Sequence, residues 1–336
     1  MLAIGSLTFQ HPVIQAALAG YSDWPMRRIA REHGAAGAMN EVVLDRIALA
    51  PGKKQRRLVT VRPDDHPIGG QLMGAEPDTI AQAADALVAA GYDWIDINLG
   101  CPVRKVLRRG RGGFLLTRPD RALEIIRAVH TAVAGRRPIG VKLRRGMDDT
   151  PRSWCNVLAI LDGAFAIGID AAKLHPRTVE QAYLGRADWS YLATAKKRVG
   201  DRVILGSGDL FSADDVQRMI DQTGIDGVML ARGCIGNPWL FEQANARLTG
   251  LPDPPPPTIE QQGQTLARHL ALAIAVHGPR RACAIMRKFG IAYSRRHPDH
   301  PAIRDALATA VTVERWLTIL ARWCRLDALP TVSIND

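Results

Sequence analysis

Short apolar runs of strand length recur along the first two thirds of the chain, each set between turn-forming residues. The spacing predicts strands over 13–19, 38–43, 68–72, 94–99, 139–143, 171–175, 203–206 and 227–231. Several intervening segments switch to the apolar period of a helix, over 77–90, 119–134 and 213–223. Eight strands alternating with helices predict an α/β fold of the (β/α)8 TIM-barrel type. A doubly wound open sheet is the alternative, and the lack of Gly-x-Gly-x-x-Gly near the start counts against it.

The pattern changes at Leu251-Pro252-Asp253-Pro254-Pro255-Pro256-Pro257, which suits neither helix nor central strand. Thr258 and Gln261 have the spacing of a capping box. From there the period is helical to about Leu326, with breaks at Gly278-Pro279 and His297-Pro298. The expected organisation is a barrel over 1–250, a proline-rich linker over 251–257 and a small helical bundle of three or four helices over 258–336.

Composition narrows the class. The 336 residues are 47% hydrophobic, enough for a large core, yet no apolar run is long enough to span a membrane. No signal-peptide pattern is evident at the start. The five cysteines (Cys101, Cys155, Cys234, Cys283, Cys324) are odd in number and lack CxxC spacing. That argues against a disulfide framework or a metal site, and for a reducing cytoplasm. The net charge of +11 favours a polyanionic partner. In the helical tail Lys and Arg outnumber Asp and Glu eleven to six. Arg280, Arg281, Arg287, Lys288, Arg295 and Arg296 are expected on one helix, as a solvated face or a nucleic-acid contact.

In a TIM barrel the chemistry collects after the C-terminal ends of the strands. There the sequence places Ala19-Gly20-Tyr21-Ser22-Asp23, Asn40-Glu41, Gln71, Asn98 with Cys101, Lys142 with Arg144, and His175 with Arg177. The last two strands run into Ser207-Gly208-Asp209 and Ala231-Arg232-Gly233, the small-residue composition of a phosphate site. A following helix N-terminus is expected to assist, and Arg232 can add a charge-assisted bond. Gln71, Asn98, Lys142 and His175 are each explicable singly as core or paired residues. As a set on one face they suit the polar edge of a flavin. Cys101, held between Gly100 and Pro102, reads as functional rather than as core filler.

The run Ile97-Asn98-Leu99-Gly100-Cys101-Pro102 with Lys105-Val106 and Gly113 resembles the signature of the tRNA-dihydrouridine synthases. Ala19-Gly20-Tyr21-Ser22-Asp23-Trp24-Pro25-Met26-Arg27 is similar to that family's opening motif. Val141-Lys142-Leu143-Arg144, His175-Pro176-Arg177-Thr178, Gly206-Ser207-Gly208-Asp209, Gly227–Gly233 and Asn237–Phe241 match its later motifs in order. The chain differs at Ala17-Leu18, Leu107, Pro176 and Ser207, where the family more often has Pro-Met, Asn, Gly and Asn.

The resemblance implies an FMN-binding barrel followed by a helical tRNA-binding unit, acting as a monomer. It implies reduction of the uracil C5–C6 double bond at tRNA uridines, in the D-loop by general layout, with NADPH or NADH as reductant. Cys101 would be the catalytic acid. Ala17, Leu18, Gln71, Lys142, His175, Ser207, Gly208, Asp209, Ala231, Arg232 and Gly233 would hold the cofactor. Asn98, Lys105, Arg177, Arg287 and Lys288 would meet the substrate. Arg104, Lys105, Arg108, Arg109 and Arg111, beside Cys101, are expected to face RNA backbone. Two other functions remain open: an FMN barrel reducing a small molecule, and a non-catalytic RNA-binding protein.

Overall fold

A computed structural model describes residues 1–332. Its strands are β1 (Leu2–Ile4), β2 (Leu7–Phe9), β3 (Val13–Gln15), β4 (Ala38–Met39), β5 (Val43–Leu44), β6 (Ile68–Met73), β7 (Trp94–Asn98), β8 (Ile139–Arg144), β9 (Ala171–His175), β10 (Val203–Gly206) and β11 (Gly227–Leu230). The strands β3 to β11 are parallel, in the order β4-β3-β11-β10-β9-β8-β7-β6-β5, and β4 also pairs with β6. That extra pairing closes the sheet on itself. The expected barrel is present, with its second strand in two pieces.

The predicted strand over 38–43 breaks because Asn40 replaces a ladder bond with its side chain. Its Oδ1 accepts from the Gln71 backbone N–H at 2.8 Å. The first barrel strand stops at Gln15, short of the predicted Ala19. The backbone N–H groups of Tyr21 and Ser22 both turn back to the Leu18 carbonyl, at 2.9 Å each.

The helices are α1 (Trp24–Glu32), α2 (Asp45–Leu49), α3 (Lys53–Val59), α4 (Pro77–Ala89), α5 (Arg104–Leu107), α6 (Pro119–Val133), α7 (Pro151–Ile167), α8 (Ser190–Val199), α9 (Ala213–Thr223), α10 (Leu240–Leu248), α11 (Ile259–His277), α12 (Pro279–Tyr293), α13 (His300–Ala308) and α14 (Val313–Cys324). Proline opens α4, α6, α7 and α12, where its missing N–H costs nothing. The apolar faces of α4, α6 and α7 bury Leu87, Ile125, Ile160 and their neighbours against the sheet.

The hairpin β1–β2 was not expected from the sequence. It closes the N-terminal end of the barrel: Phe9 meets Trp94 edge to face, with centroids 5.6 Å apart. Gly69 makes room for that ring, since a Cβ there would fall inside the Trp94 indole.

Helices α11 to α14 form the expected bundle, and α11 packs on α1. Thr258 and Gln261 cap α11 reciprocally, as their spacing predicts. His277, at the end of α11, lies 2.9 Å from Asp23, the N-cap of α1. One expectation is corrected here. Arg280, Arg281, Arg287 and Lys288 share α12, but Arg295 and Arg296 fall in a 3-10 turn after it. Pro298 disfavours helical backbone at His297, which is extended, so the helix has to end before it. Among the described residues no helix is long and apolar enough to cross a membrane.

Candidate active site

The C-terminal ends of the barrel strands surround a cleft of about 1170 Å³ that opens to solvent. Ala17, Leu18, Gln71, Asn98, Cys101, Lys142, His175, Ser207, Gly208, Asp209, Ala231, Arg232 and Gly233 all line it. Residues spread over more than two hundred positions thus meet because each follows its own strand into one mouth.

Cys101 stands on the loop after β7. The backbone N–H of Gly113 donates to the Cys101 carbonyl at 3.0 Å. Gly112 lies with φ of +56°, and a Cβ there would come within 2.8 Å of Cys101 Cβ. The glycines that follow the cysteine therefore let a second turn fold tightly onto it. Burial pushes the Cys101 thiol up, against opposing pulls from the Val103 backbone and the Arg144 guanidinium, so the group carries its proton at neutral pH.

Lys142 and His175 line the cleft from the adjacent strands β8 and β9. Burial, with Arg144 and Lys173 assisting against Asp96, pushes the Lys142 ammonium down to about 7. Burial, then Lys142, Arg144, Arg177 and Arg232, hold the His175 imidazole well below its usual value, so it is neutral. Its Nδ1 is buried with no hydrogen-bond partner. An orphaned ring nitrogen beside a half-buried amine makes this cleft a candidate ligand site.

The loops after β10 and β11, where a phosphate site is expected, both line the cleft. Gly208 has φ of +115°, and a Cβ there would lie 3.2 Å from His175 Nε2. At Gly233 a Cβ would collide with the Leu210 carbonyl oxygen. Arg232 is exposed, between the rings of Tyr183 and Phe211, at 4.7 and 5.6 Å from their centroids. The expected helix N-terminus is not free, however. Ser212 and Asp215 cap α9 themselves, and Asp215 accepts from the N–H groups of Phe211 and Ser212 at 3.0 Å. An anion here would rely on the glycine backbone and Arg232 instead.

Several expected contacts lie elsewhere. Arg177 is buried off the cleft wall: its guanidinium holds Asp209 at 2.7 Å and the carbonyls of Leu184 and Gly185 at 3.2 and 2.6 Å. It braces the loop after β10 and does not line the cleft. Asp209 turns its carboxylate to Arg177, the Ala187 N–H and Arg232, leaving no face for an anion. Lys288 donates to the Gly20 carbonyl and lies 4.2 Å over the Tyr21 ring, joining α12 to the barrel. Arg287 is exposed on α12 and Lys105 on α5, both outside the cleft. Arg111 is buried and pairs with Asp45 at 3.5 Å, so it does not join its basic neighbours at the surface.

Residues 14–324 match the family described as Dihydrouridine synthase (Dus). This chain belongs to the dihydrouridine synthase family. It is 34% identical over 330 residues to a "Probable tRNA-dihydrouridine synthase" of Mycobacterium tuberculosis, covering 96% of this chain and 84% of that one. It is 33% identical over 291 residues to "tRNA-dihydrouridine synthase B" of Pseudomonas aeruginosa, covering 86% and 85%. The solved histamine dehydrogenase from Rhizobium sp. 4-9 superposes with a TM-score of 0.57 at 16% identity. That match covers 80% of this chain and half of the other, and speaks to the fold alone.

In this dihydrouridine synthase the cleft also carries residues that the strand-end reading passed over. Lys173 lines it, and its buried Nζ pairs with Asp96 at 2.7 Å. Arg144 donates to the carbonyls of Gly100, Thr178 and Ala182 at 3.0, 2.8 and 2.7 Å, tying the cysteine loop to the loop after β9. Tyr183 and Phe211 stand at the mouth. Asp96 and Lys173 did leave a sequence signal: opposite charges in the middle of two largely apolar strands, which β8 separates.

Proposed function

We propose that this dihydrouridine synthase reduces the C5–C6 double bond of uridines in tRNA, using bound flavin mononucleotide recharged by NADPH or NADH. The observation that carries this reading is the thiol of Cys101 on the wall of a cleft whose other groups are the unpartnered His175, the half-buried Lys142 and the glycine cradle. Those residues fit a flavin nucleotide: Ser207, Gly208, Ala231, Arg232 and Gly233 would hold its phosphate, and Gln71, Lys142 and His175 its ring. Ala17 and Leu18 would pack beside them. When bound and reduced, the flavin supplies a hydride to C6 of uracil.

The protein's own part is the proton. Cys101 holds a proton at neutral pH because burial disfavours its thiolate, and it gives that proton to C5. The thiolate left behind lies within the field of the Arg144 guanidinium. Asn98, two residues after Asp96 on β7, would orient the base. A uridine inside folded RNA must leave its stack to enter such a cleft, at roughly a few kcal/mol. The exposed Arg104, Lys105, Arg108 and Arg109 beside Cys101, and Arg280, Arg281 and Arg287 on α12, would offset that cost through phosphate contacts. The barrel over 1–250, the linker over 251–257 and the helical tRNA-binding unit over 258–336 then divide chemistry from docking. We place the working protein in the cytoplasm as a monomer, with D-loop uridines as its targets.

The test is the visible flavin band of purified protein, reduced anaerobically with NADPH. Adding unmodified tRNA should reoxidise it rapidly, with dihydrouridine formed. Reoxidation by free uracil and not by tRNA would move the protein to small-molecule chemistry. Protein purified without flavin, and unable to take it up, would leave a non-catalytic RNA binder.

A further inference from the structure

A single chain of hydrogen bonds runs through the barrel below the cleft. Lys173 Nζ donates to Asp96 Oδ1 at 2.7 Å, and Gln71 Nε2 donates to Asp96 Oδ2 at 2.7 Å. Asn98 Nδ2 donates to Gln71 Oε1 at 2.7 Å, and the Gly100 backbone N–H donates to Asn98 Oδ1 at 3.1 Å. The chain ends on the peptide that leads into Cys101.

Its direction is fixed at both ends. A carboxylate only accepts, so Gln71 must turn its NH2 toward Asp96. Its carbonyl then faces Asn98, which must answer with NH2 and turn its own carbonyl toward Gly100. A backbone N–H only donates, so the far end agrees. The hydrogens left over are donors: one on each amide and two on the Lys173 ammonium. Gln71, Asn98 and Lys173 all line the cleft, whereas Asp96 does not. Lys173 and Asp96 come from β9 and β7, with β8 between them. Gly140 on β8 lets them touch, since a Cβ there would lie 2.9 Å from Asp96 Oδ1 and on top of Lys173 Nζ. Both side chains are almost wholly enclosed, at 1% and 0% exposure.

We infer that Lys173 and Asp96 are positioning residues for the reaction: their ion pair anchors the far end of the Gln71–Asn98 relay, whose near end is the Gly100 N–H, so that donors face the ligand and the Cys101 loop is held in place. The inference rests on the flavin-dependent reading above, but its first test needs no flavin. Asp96→Asn is isosteric and can either donate to or accept from Gln71, so that only the Gly100 N–H still holds the two amides in that direction. Because it leaves Lys173 buried without a counter-ion, Asp96→Asn/Lys173→Met is made beside it, a neutral pair of similar volume.

In the full chain, Cys101 should react with iodoacetamide at a rate altered at least threefold, measured by peptide mass. The buried Cys234, Cys283 and Cys324 should stay as slow as in the unaltered protein, which separates a freed loop from a loosened fold. With flavin bound, the reduction potential should move to more negative values and kcat should fall at least tenfold, because donors to the reduced ring are lost. Lys173→Arg in the otherwise unaltered chain keeps the charge beside Asp96 and should lose much less of both. Unchanged Cys101 reactivity in a folded variant overturns the inference. So does a neutral pair that cannot fold, because the ion pair would then serve the barrel and not the amides. A protein that holds no flavin would defeat the functional reading while leaving the alkylation result to decide this one.

Discussion

The two ends of the barrel are finished in opposite ways. At the N-terminal end the hairpin β1–β2 seals the strands with Leu2, Ile4 and Phe9 packed on Trp94, Met229 and Leu205. At the C-terminal end β6 to β9 bring Gln71, Asn98, Lys142 and His175 to the mouth, and the His175 Nδ1 is left without a partner. The hydrogen-bonded layer of Asp96, Lys173 and Gln71 lies between the two. The contrast teaches where stability and chemistry are kept apart in one continuous sheet. Apolar closure below holds the frame, so the mouth can carry a half-buried amine and a neutral imidazole that weaken the fold on their own account.

Substitutions at the two ends should therefore fail differently. The largest effect is expected at the mouth: Cys101→Ala should lower dihydrouridine formation by about 10²–10⁴-fold. Flavin content and thermal midpoint should stay near those of the unaltered protein, and a rate within a few-fold of normal would remove Cys101 from the role of acid. At the closed end, Trp94→Ala should cost about 3–5 kcal/mol of stability by urea unfolding, yet leave turnover per folded molecule nearly intact. A large loss of turnover at full stability there would erase the distinction between the ends.

Protonation sharpens the comparison at the mouth. Free Lys142 titrates at about 7, and a phosphorylated, electron-rich ligand draws its value back up. Binding of flavin mononucleotide should then take up as much as about one proton between pH 7 and the ordinary lysine value of about 10.4. Calorimetry in two buffers of different ionisation heat reads this, and zero uptake would mean that the amine stays neutral in the complex. With Cys101 as the proposed acid, turnover should fall as the pH rises through its pKa. Burial places that alkaline fall above the ordinary thiol value of about 8.5. The smallest effect is expected where α12 docks. Lys288→Met removes the bond to the Gly20 carbonyl and the stacking on Tyr21, for about 1 kcal/mol or less.

Much of the site was legible in the residues because a parallel barrel sends every strand end to one face. Once eight strands were recognised, Gln71, Asn98, Cys101, Lys142, His175 and the two glycine loops had to meet. The direction of individual side chains was not legible. Arg177 follows His175 directly, yet its guanidinium turns to Asp209 and to the carbonyls of Leu184 and Gly185. Asp209 sits in the loop expected to hold a phosphate, but its carboxylate pairs with two arginines. Arg111 belongs to a basic run in the sequence, and only its fit against Asp45 takes it out of solvent. Each of these depends on which opposite charge lies nearest in space, and that neighbour is far away along the chain.

The sequence by itself determined the strand and helix alternation, the breaks at proline and glycine, the capping of α11 and the identity of the chemical groups. These depend on residues within a few positions of one another, where propensity and periodicity act. Tertiary structure alone decided the hairpin that closes the barrel, the capped rather than open start of α9, and the crossing of Lys173 to Asp96 past Gly140. It also decided the proton state of the site. Lys142 near neutrality and His175 without charge follow from burial beside Arg144, and burial exists only once the barrel has closed.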